Sequence, residues 1–184
     1  MHGAALRVDG FPCTFATAED FFFGGLAKAA DVYSGSPMGS AVTAADVETL
    51  PGLNTLGVSM ARTDYAPWGG VNPPHSHPRA SELVMVLSGE VMVGFTSSAN
   101  RLYSKVVREN ELFVVPRGLQ HFQLNTGAGD AVFVAMFDSQ SPGVVTPTFA
   151  MFATKPAMPT EVLTKTFLME EDEVSAMKSR FAGF

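Results

Sequence analysis

The chain has 184 residues, of which 46% are hydrophobic and 16% are charged, so it can bury the core of one globular domain. Its net charge of −6 and its isoelectric point near 5.1 argue against a nucleic-acid-binding surface or a basic membrane-surface helix. No run of about 18 uninterrupted apolar residues occurs, so a membrane span is not expected.

The N-terminal residues carry few structural signals. The opening stretch MHGAALRVDGFP lacks the apolar core of a secretory signal, so the protein is expected either to be cytosolic or to have had its signal removed. Cys13 is the only cysteine and cannot form an internal disulfide. Residues 18–32 are ambiguous, because Gly24 and Gly25 weaken a helical interpretation.

The middle of the chain predicts many short strands, punctuated by Gly, Asn and Pro. They are predicted at 55–66, 82–95 (two runs around a Ser-Gly turn, typical of a hairpin), 103–107, 111–116, 121–125 and 131–137. Strands this short at this spacing indicate a barrel or a double-sheet sandwich. Six large side chains in them are expected to fill its interior: Met85, Met92, Phe113, Phe122, Phe133 and Met136.

The C-terminal residues predict a helix over 169–181. Val174, Met177 and Phe181 recur at helical spacing, acidic residues come early, and Lys178 and Arg180 come late. We expect one domain over 1–184, with an N-terminal extension to about residue 40 and a helical segment over about 160–184.

Three of the four histidines and one glutamate form a candidate metal site. His75 and His77 are two residues apart and would share a face of a strand, Glu82 opens the next strand, and His121 opens a later one. Nitrogen and oxygen ligands without sulfur favour manganese or, less strongly, iron over a closed zinc site. Four ligands on an octahedral ion leave two positions for water, a small anion or dioxygen. The alternative is a barrel that keeps the pattern without binding metal.

Two segments resemble the conserved boxes of germins and germin-like proteins, plant members of the cupin superfamily. They are GGVNPPHSHPRASELVMVLSGEVMVGF and NELFVVPRGLQHFQLN, and weaker likeness extends over nearly the whole chain. The resemblance implies an all-β fold, a cupin jelly-roll β-barrel with a C-terminal helical extension. It implies one manganese ion held by His75, His77, Glu82 and His121, a homo-oligomer built as a trimer of dimers, and secretion to the plant cell wall.

Several positions depart from the germin pattern. Asn110 stands where the second box usually has glycine, and Cys13 matches the second of two cysteines that usually form a disulfide. Oxalate-oxidising germins line their pocket with two asparagines; Asn72 matches one, but the other is Ala61, and one extra residue lies near Trp68. A lost buried hydrogen bond at a substrate site can cost about 1–3 kcal/mol, which argues against oxalate oxidation.

The germin resemblance also implies superoxide dismutase activity. The expected function is manganese-dependent superoxide dismutation, with superoxide or another small anion as substrate and Asn72 as the residue that orients it. Asn72 is also a plausible turn residue before Pro73. Gln123 is a weaker candidate for a hydrogen bond behind the metal, and Arg79 is expected in a salt bridge. The alternatives are oxalate oxidase, nucleotide-sugar phosphodiesterase, or a non-catalytic protein that binds a small carboxylate such as auxin.

Overall fold

The structure is a computed structural model that describes residues 7–8, 11–12, 16–34 and 37–183, so Cys13 and His2 lie outside the described residues. The strands are β1 (Arg7–Val8), β2 (Phe11–Pro12), β3 (Ser40–Ala45), β4 (Ser59–Tyr65), β5 (Val71–His75), β6 (Glu82–Ser88), β7 (Glu90–Thr96), β8 (Leu102–Arg108), β9 (Leu112–Val115), β10 (His121–Asn125) and β11 (Ala131–Phe137). The helices are α1 (Pro147–Phe152), α2 (Thr160–Phe167) and α3 (Glu171–Phe181). Short 3₁₀ turns occur at Ala18–Phe21, Gly25–Ala27 and Pro51–Leu53.

Two antiparallel sheets form the jelly roll. One has the strand order β5-β10-β7-β8 and the other β3-β4-β11-β6-β9, so the predicted all-β jelly-roll fold is confirmed. The hairpin predicted over 82–95 is wrong in its pairing, because β6 and β7 lie in different sheets. Gly89 joins them with a φ of +79°, and a Cβ there would lie 3.0 Å from the Asp130 carbonyl oxygen. The turn therefore crosses from one sheet to the other, and each strand buries one face in the interior.

Alternation along each strand selects the interior residues. Val84, Val86, Val91 and Val93 are fully buried in the barrel, and Phe133 is 1% exposed. Met85, Met92, Phe122 and Met136 were expected in the interior but occupy the alternate, half-buried positions. Since Glu82 and His121 point inward, every second residue after them does the same, which sends Met85 and Phe122 outward. On β7 and β11 the buried neighbours of Met92 and Met136 show the same alternation, which sends these two methionines outward. Phe113 packs against the core as expected.

Four strands were not predicted from the sequence: the two-residue strands β1 and β2, and β3 and β5, which are edges of the two main sheets. β5 carries Pro73 and Pro74, which cannot donate backbone hydrogen bonds but are tolerated in an edge strand such as this one. β3 has the sequence SAVTAA, whose small residues give little strand signal.

The helices belong to a second compact unit, Val145–Phe184, whereas the strands belong to Met1–Val144. Phe152, Leu163 and Val174 form the buried core of the helical unit. The helix predicted over 169–181 is confirmed as α3, in which the Glu173 carboxylate accepts a hydrogen bond from the Glu170 backbone N–H at 2.8 Å. Among the described residues, no helix combines the length and apolar character needed to cross a membrane.

The inward and outward assignment on β6 is testable with one substitution on each face. We expect Val86→Asp to abolish cooperative unfolding or lower the melting temperature sharply, because it buries an unpaired carboxylate at a fully buried position. Leu87→Asp, one residue later and 44% exposed in the wild type, is the matched control and should fold normally. Circular dichroism measures both, and equal destabilisation would contradict the register.

Candidate metal centre

The four predicted ligand residues come from both sheets and meet in the interior. His75 ends β5 directly opposite His121, which starts β10, and Glu82 starts β6 in the other sheet; His77 follows β5. All four residues are at most 6% exposed. One potential ligand atom from each lies within 4.8 Å of the others. The structure therefore brings together all four residues that the sequence singled out.

Backbone carbonyl groups fix the orientation of all three imidazoles. Nδ1 of His75 lies 2.8 Å from the Pro73 oxygen, and Nδ1 of His121 lies 2.9 Å from the Leu119 oxygen. Nδ1 of His77 lies 2.6 Å from the Gly143 oxygen. Since a carbonyl can only accept, each Nδ1 carries a proton, and each ring in its neutral form presents an Nε2 lone pair.

These lone pairs face the Glu82 carboxylate. Oε2 of Glu82 lies 2.9 Å from Nε2 of His121 and 3.4 Å from Nε2 of His77. The 2.9 Å contact is not an aligned hydrogen bond, and neither of its atoms has a hydrogen-bond partner among the described residues. Two acceptors this close repel each other unless a proton on Nε2 or a metal cation lies between them. Adjacent ligands on an octahedral ion with bonds of roughly 2.1 Å lie about 3 Å apart. The residues therefore fit a divalent transition-metal ion.

The charge states of the cluster suit metal binding. Burial is the main cause that lowers the pKa of His75 from 6.5 to about 4, so its imidazole is neutral at pH 7. Burial alone would raise the pKa of Glu82, but its contacts with His121 and His77 outweigh burial and lower that pKa to about 2. Glu82 is therefore ionised, as a carboxylate ligand must be.

A loop after β11 supports His77 from outside the cluster. Gly143, whose carbonyl receives the His77 N–H, has a φ of +67°, and a Cβ there would meet the Arg79 guanidinium at 2.9 Å. Arg79 donates hydrogen bonds from Nε to the Ser141 carbonyl at 2.7 Å and from Nη2 to the Ser141 hydroxyl at 3.0 Å. The salt bridge expected for Arg79 is not found among the described residues. Arg79 instead holds the loop that orients His77.

A cavity of about 350 Å³ leads to the cluster. Asn72, the predicted substrate-orienting residue, lines it together with Ala61, and Asp46 and Glu48 are among its outer residues. Asn72 is half-buried and lies opposite Gln123 across β5 and β10. Apolar lining comes from Phe133, Ala135 and Phe137. The cavity has room for a small organic acid as well as for a diatomic anion.

Sequence reasoning missed the roles of Gly143 and Arg79. The Gly143 carbonyl accepts a hydrogen bond from the His77 ring, and Arg79 donates one to the Ser141 carbonyl. Such contacts between distant segments leave no spacing signal in a sequence. The sharp turn at Gly143 was the one available sign, because glycine tolerates a left-handed φ.

One family model, several curated proteins and several solved structures resemble this chain over most of its length. The cupin family model matches residues 25–175. Germin-like protein 1-2 of Oryza sativa subsp. japonica is 70% identical, over 98% of this chain and 81% of its own length. Germin-like protein subfamily 2 member 2 of Arabidopsis thaliana is 52% identical, over 98% of this chain and 82% of its own length. A recombinant oxalate oxidase solved in complex with glycolate superposes with a TM-score of 0.89 at 48% identity, covering 100% of this chain and 92% of that chain.

The support from Gly143 predicts a loss of metal affinity at a distance from the ligands. We expect Gly143→Ala to weaken binding of a divalent metal ion by roughly 10- to 100-fold, because it displaces the carbonyl that orients His77. Gly57→Ala is the control: its φ of +71° imposes the same backbone strain, but its Cβ would meet nothing within 4 Å. Titration calorimetry on metal-free protein measures both, and equal affinities for the two variants would contradict the role of Gly143.

The pKa of His75 predicts acid sensitivity of the metal-free protein. Between about pH 6.5 and about pH 4 the unfolded chain binds a proton at His75 and the folded chain does not, so the free energy of unfolding falls as pH falls. The total loss over this range is about 3 kcal/mol. Urea unfolding of wild type and His75→Gln across this range measures it, and the variant should show a shallower decline. Parallel curves would show that His75 is not buried in its neutral form.

Proposed function

Since this chain belongs to the cupin family and within it to the germin-like proteins, we propose that it is a manganese-dependent oxidoreductase with superoxide dismutase activity. The observation that carries the proposal is the buried cluster of three imidazoles and one carboxylate, whose free lone pairs converge beside a cavity. Iron is the second choice of metal, since the same nitrogen and oxygen ligands suit both ions.

His75, His77, Glu82 and His121 would hold the ion. Bound manganese would supply alternating one-electron oxidation and reduction, by which two superoxide anions and two protons give one dioxygen and one hydrogen peroxide. Three neutral ligands and one carboxylate leave a divalent ion with net positive charge, which attracts a small anion despite the acidic character of the whole chain. The cavity meets the cluster at His75, His77 and Glu82, the side on which the open positions would lie.

The cavity residues would bind and orient the anion. The Asn72 carboxamide can donate a hydrogen bond to it, because Asn72 lines the cavity beside the cluster. Phe133, Ala135 and Phe137 keep the inner cavity apolar, which strengthens the attraction between the anion and the metal site. Superoxide needs no further recognition, since it is a diatomic anion.

A small organic acid is the second candidate substrate. The cavity volume of about 350 Å³ exceeds what a diatomic anion requires, and the oxalate oxidase with a TM-score of 0.89 was solved with glycolate. Ala61 argues against oxalate itself, because oxalate-oxidising germins resemble this chain but have asparagine at the matching position. Ala61 faces Ala135 and Ala44 on the neighbouring strands, so none of these three side chains can donate a hydrogen bond.

Homo-oligomerisation and secretion to the plant cell wall are part of the same proposal. The outer faces of β6 and β9 carry cross-strand apolar pairs, Leu83 with Val114 and Met85 with Leu112. Leu83, Leu112 and Val114 are 39–52% exposed in the single chain. An apolar strip of this kind supports contact with other copies of the chain, and the germin resemblance supports a trimer of dimers. Secretion rests on the resemblance alone.

Metal analysis and activity assays test the proposal together. Protein purified without chelator or nickel resin should contain close to one manganese per chain and consume superoxide. Glu82→Gln should lose both, because it removes the anionic ligand, whereas Glu90→Gln changes a partly exposed glutamate paired with Arg108 and should keep both. Metal-loaded protein that fails to consume superoxide would refute the proposed activity but would not contradict the assignment of the metal site.

Substitution at Ala61 tests the choice of substrate. Ala61→Asn adds a hydrogen-bonding side chain to the cavity wall, and we expect oxalate oxidation to rise by roughly 10- to 100-fold over wild type. Ala44→Asn changes another cavity residue, opposite Ala61 on β3, and is the matched control. A wild type that already oxidises oxalate faster than it consumes superoxide would reverse the order of the two candidates.

A further inference from the structure

Two polar side chains in the barrel interior have no partner in the site described so far. Tyr65 is 1% exposed and Gln123 is 0% exposed. The Tyr65 hydroxyl and both polar atoms of the Gln123 carboxamide are buried without a hydrogen-bond partner among the described residues. Buried polar groups in native proteins are almost always paired, either with protein atoms or with ordered water.

Both side chains lie in the barrel interior, as does the cluster of His75, His77, Glu82 and His121. Gln123 lies two residues after His121 on β10 and therefore on the same inward face. Tyr65 ends β4 with its ring packed at 5.6 Å from the Phe133 ring. Asn125, the next inward residue after Gln123, donates a hydrogen bond from Nδ2 to the carbonyl of Ala66, the neighbour of Tyr65. This bond ties the inner end of β10 to the end of β4.

The Tyr65 hydroxyl lies within electrostatic range of Glu82 in the cluster. Burial, and then the charge of Glu82, raise the pKa of this hydroxyl well above 10, so it keeps its proton and can donate. Phenylalanine would fill the same apolar space without a buried hydroxyl. The polar end of Tyr65 therefore has to be compensated by something other than the protein atoms around it.

We propose that Tyr65 and Gln123 form an internal water-binding site behind the cluster of His75, His77, Glu82 and His121. The hydroxyl and the carboxamide together offer two acceptors and three donor hydrogens, which is enough to hold a buried water molecule with about three hydrogen bonds. Gln123 lies opposite the cavity residue Asn72 on β5, which places this site beside the substrate cavity. If the proposed function holds, the same water is a proton source on the inner side of the metal.

A double-mutant cycle on the full chain tests the site without relying on activity. Tyr65→Phe removes the hydroxyl, Gln123→Met removes the carboxamide at similar volume, and the double variant removes both. If water joins the two groups, each single variant should lower the folding equilibrium constant. The double variant should lower it less than the product of the two single effects, with a coupling factor of about fivefold. Tyr103→Phe, at a 41% exposed ring, is the control and should leave stability unchanged.

Denaturant unfolding gives the equilibrium constants, and a high-resolution crystal structure gives the second measurement. The crystal structure should show ordered water hydrogen-bonded to both Tyr65 and Gln123. Independent effects of the two substitutions, or a Tyr65→Phe variant at least as stable as wild type, would overturn the proposal. Because unfolding is measured rather than turnover, a protein without superoxide dismutase activity would still give a decisive cycle.

Discussion

The candidate site depends on three hydrogen bonds from imidazole Nδ1 groups to backbone carbonyls. They turn the three Nε2 atoms toward an ionised carboxylate in the barrel interior. In the neutral form of the rings these groups are all acceptors, an arrangement that a bound cation makes favourable and that fits a metal ion. The carbonyl of Gly143, presented on a left-handed turn and held near Arg79, shows that the orientation is imposed from outside the ligand set.

The jelly-roll topology explains how one cluster draws on both sheets. β5 and β10 bring His75 opposite His121 in one sheet, and β6 brings Glu82 from the other. The same inward alternation that places these ligands continues into Gln123 on β10 and into Val84 and Val86 on β6. The candidate metal ligands and the core residues therefore depend on the same strand register. A slip of one residue in β6 would turn Glu82, Val84 and Val86 outward together.

The ligand residues were predictable from the sequence because their chemistry is rare and their spacing matches a strand. The resemblance of two long segments to the germin boxes placed the chain in its family. Most strands were also predicted, but the Pro-containing edge strand β5 and the Ala-rich β3 were not, because each lacks the usual strand composition. The pairing of β6 and β7 and the outward direction of Met85, Met92, Phe122 and Met136 depend on contacts between distant segments, which local pattern does not encode. The same is true of the cavity volume, of the Gly143 support and of the unpartnered Tyr65 hydroxyl.

Anomalous X-ray scattering at the manganese absorption edge, on crystals of protein never exposed to chelator, would locate the metal. One strong peak per chain is expected, bonded to Nε2 of His75, His77 and His121 and to the Glu82 carboxylate. A peak held by other residues, or no peak in crystals grown from protein supplied with manganese, would contradict this expectation.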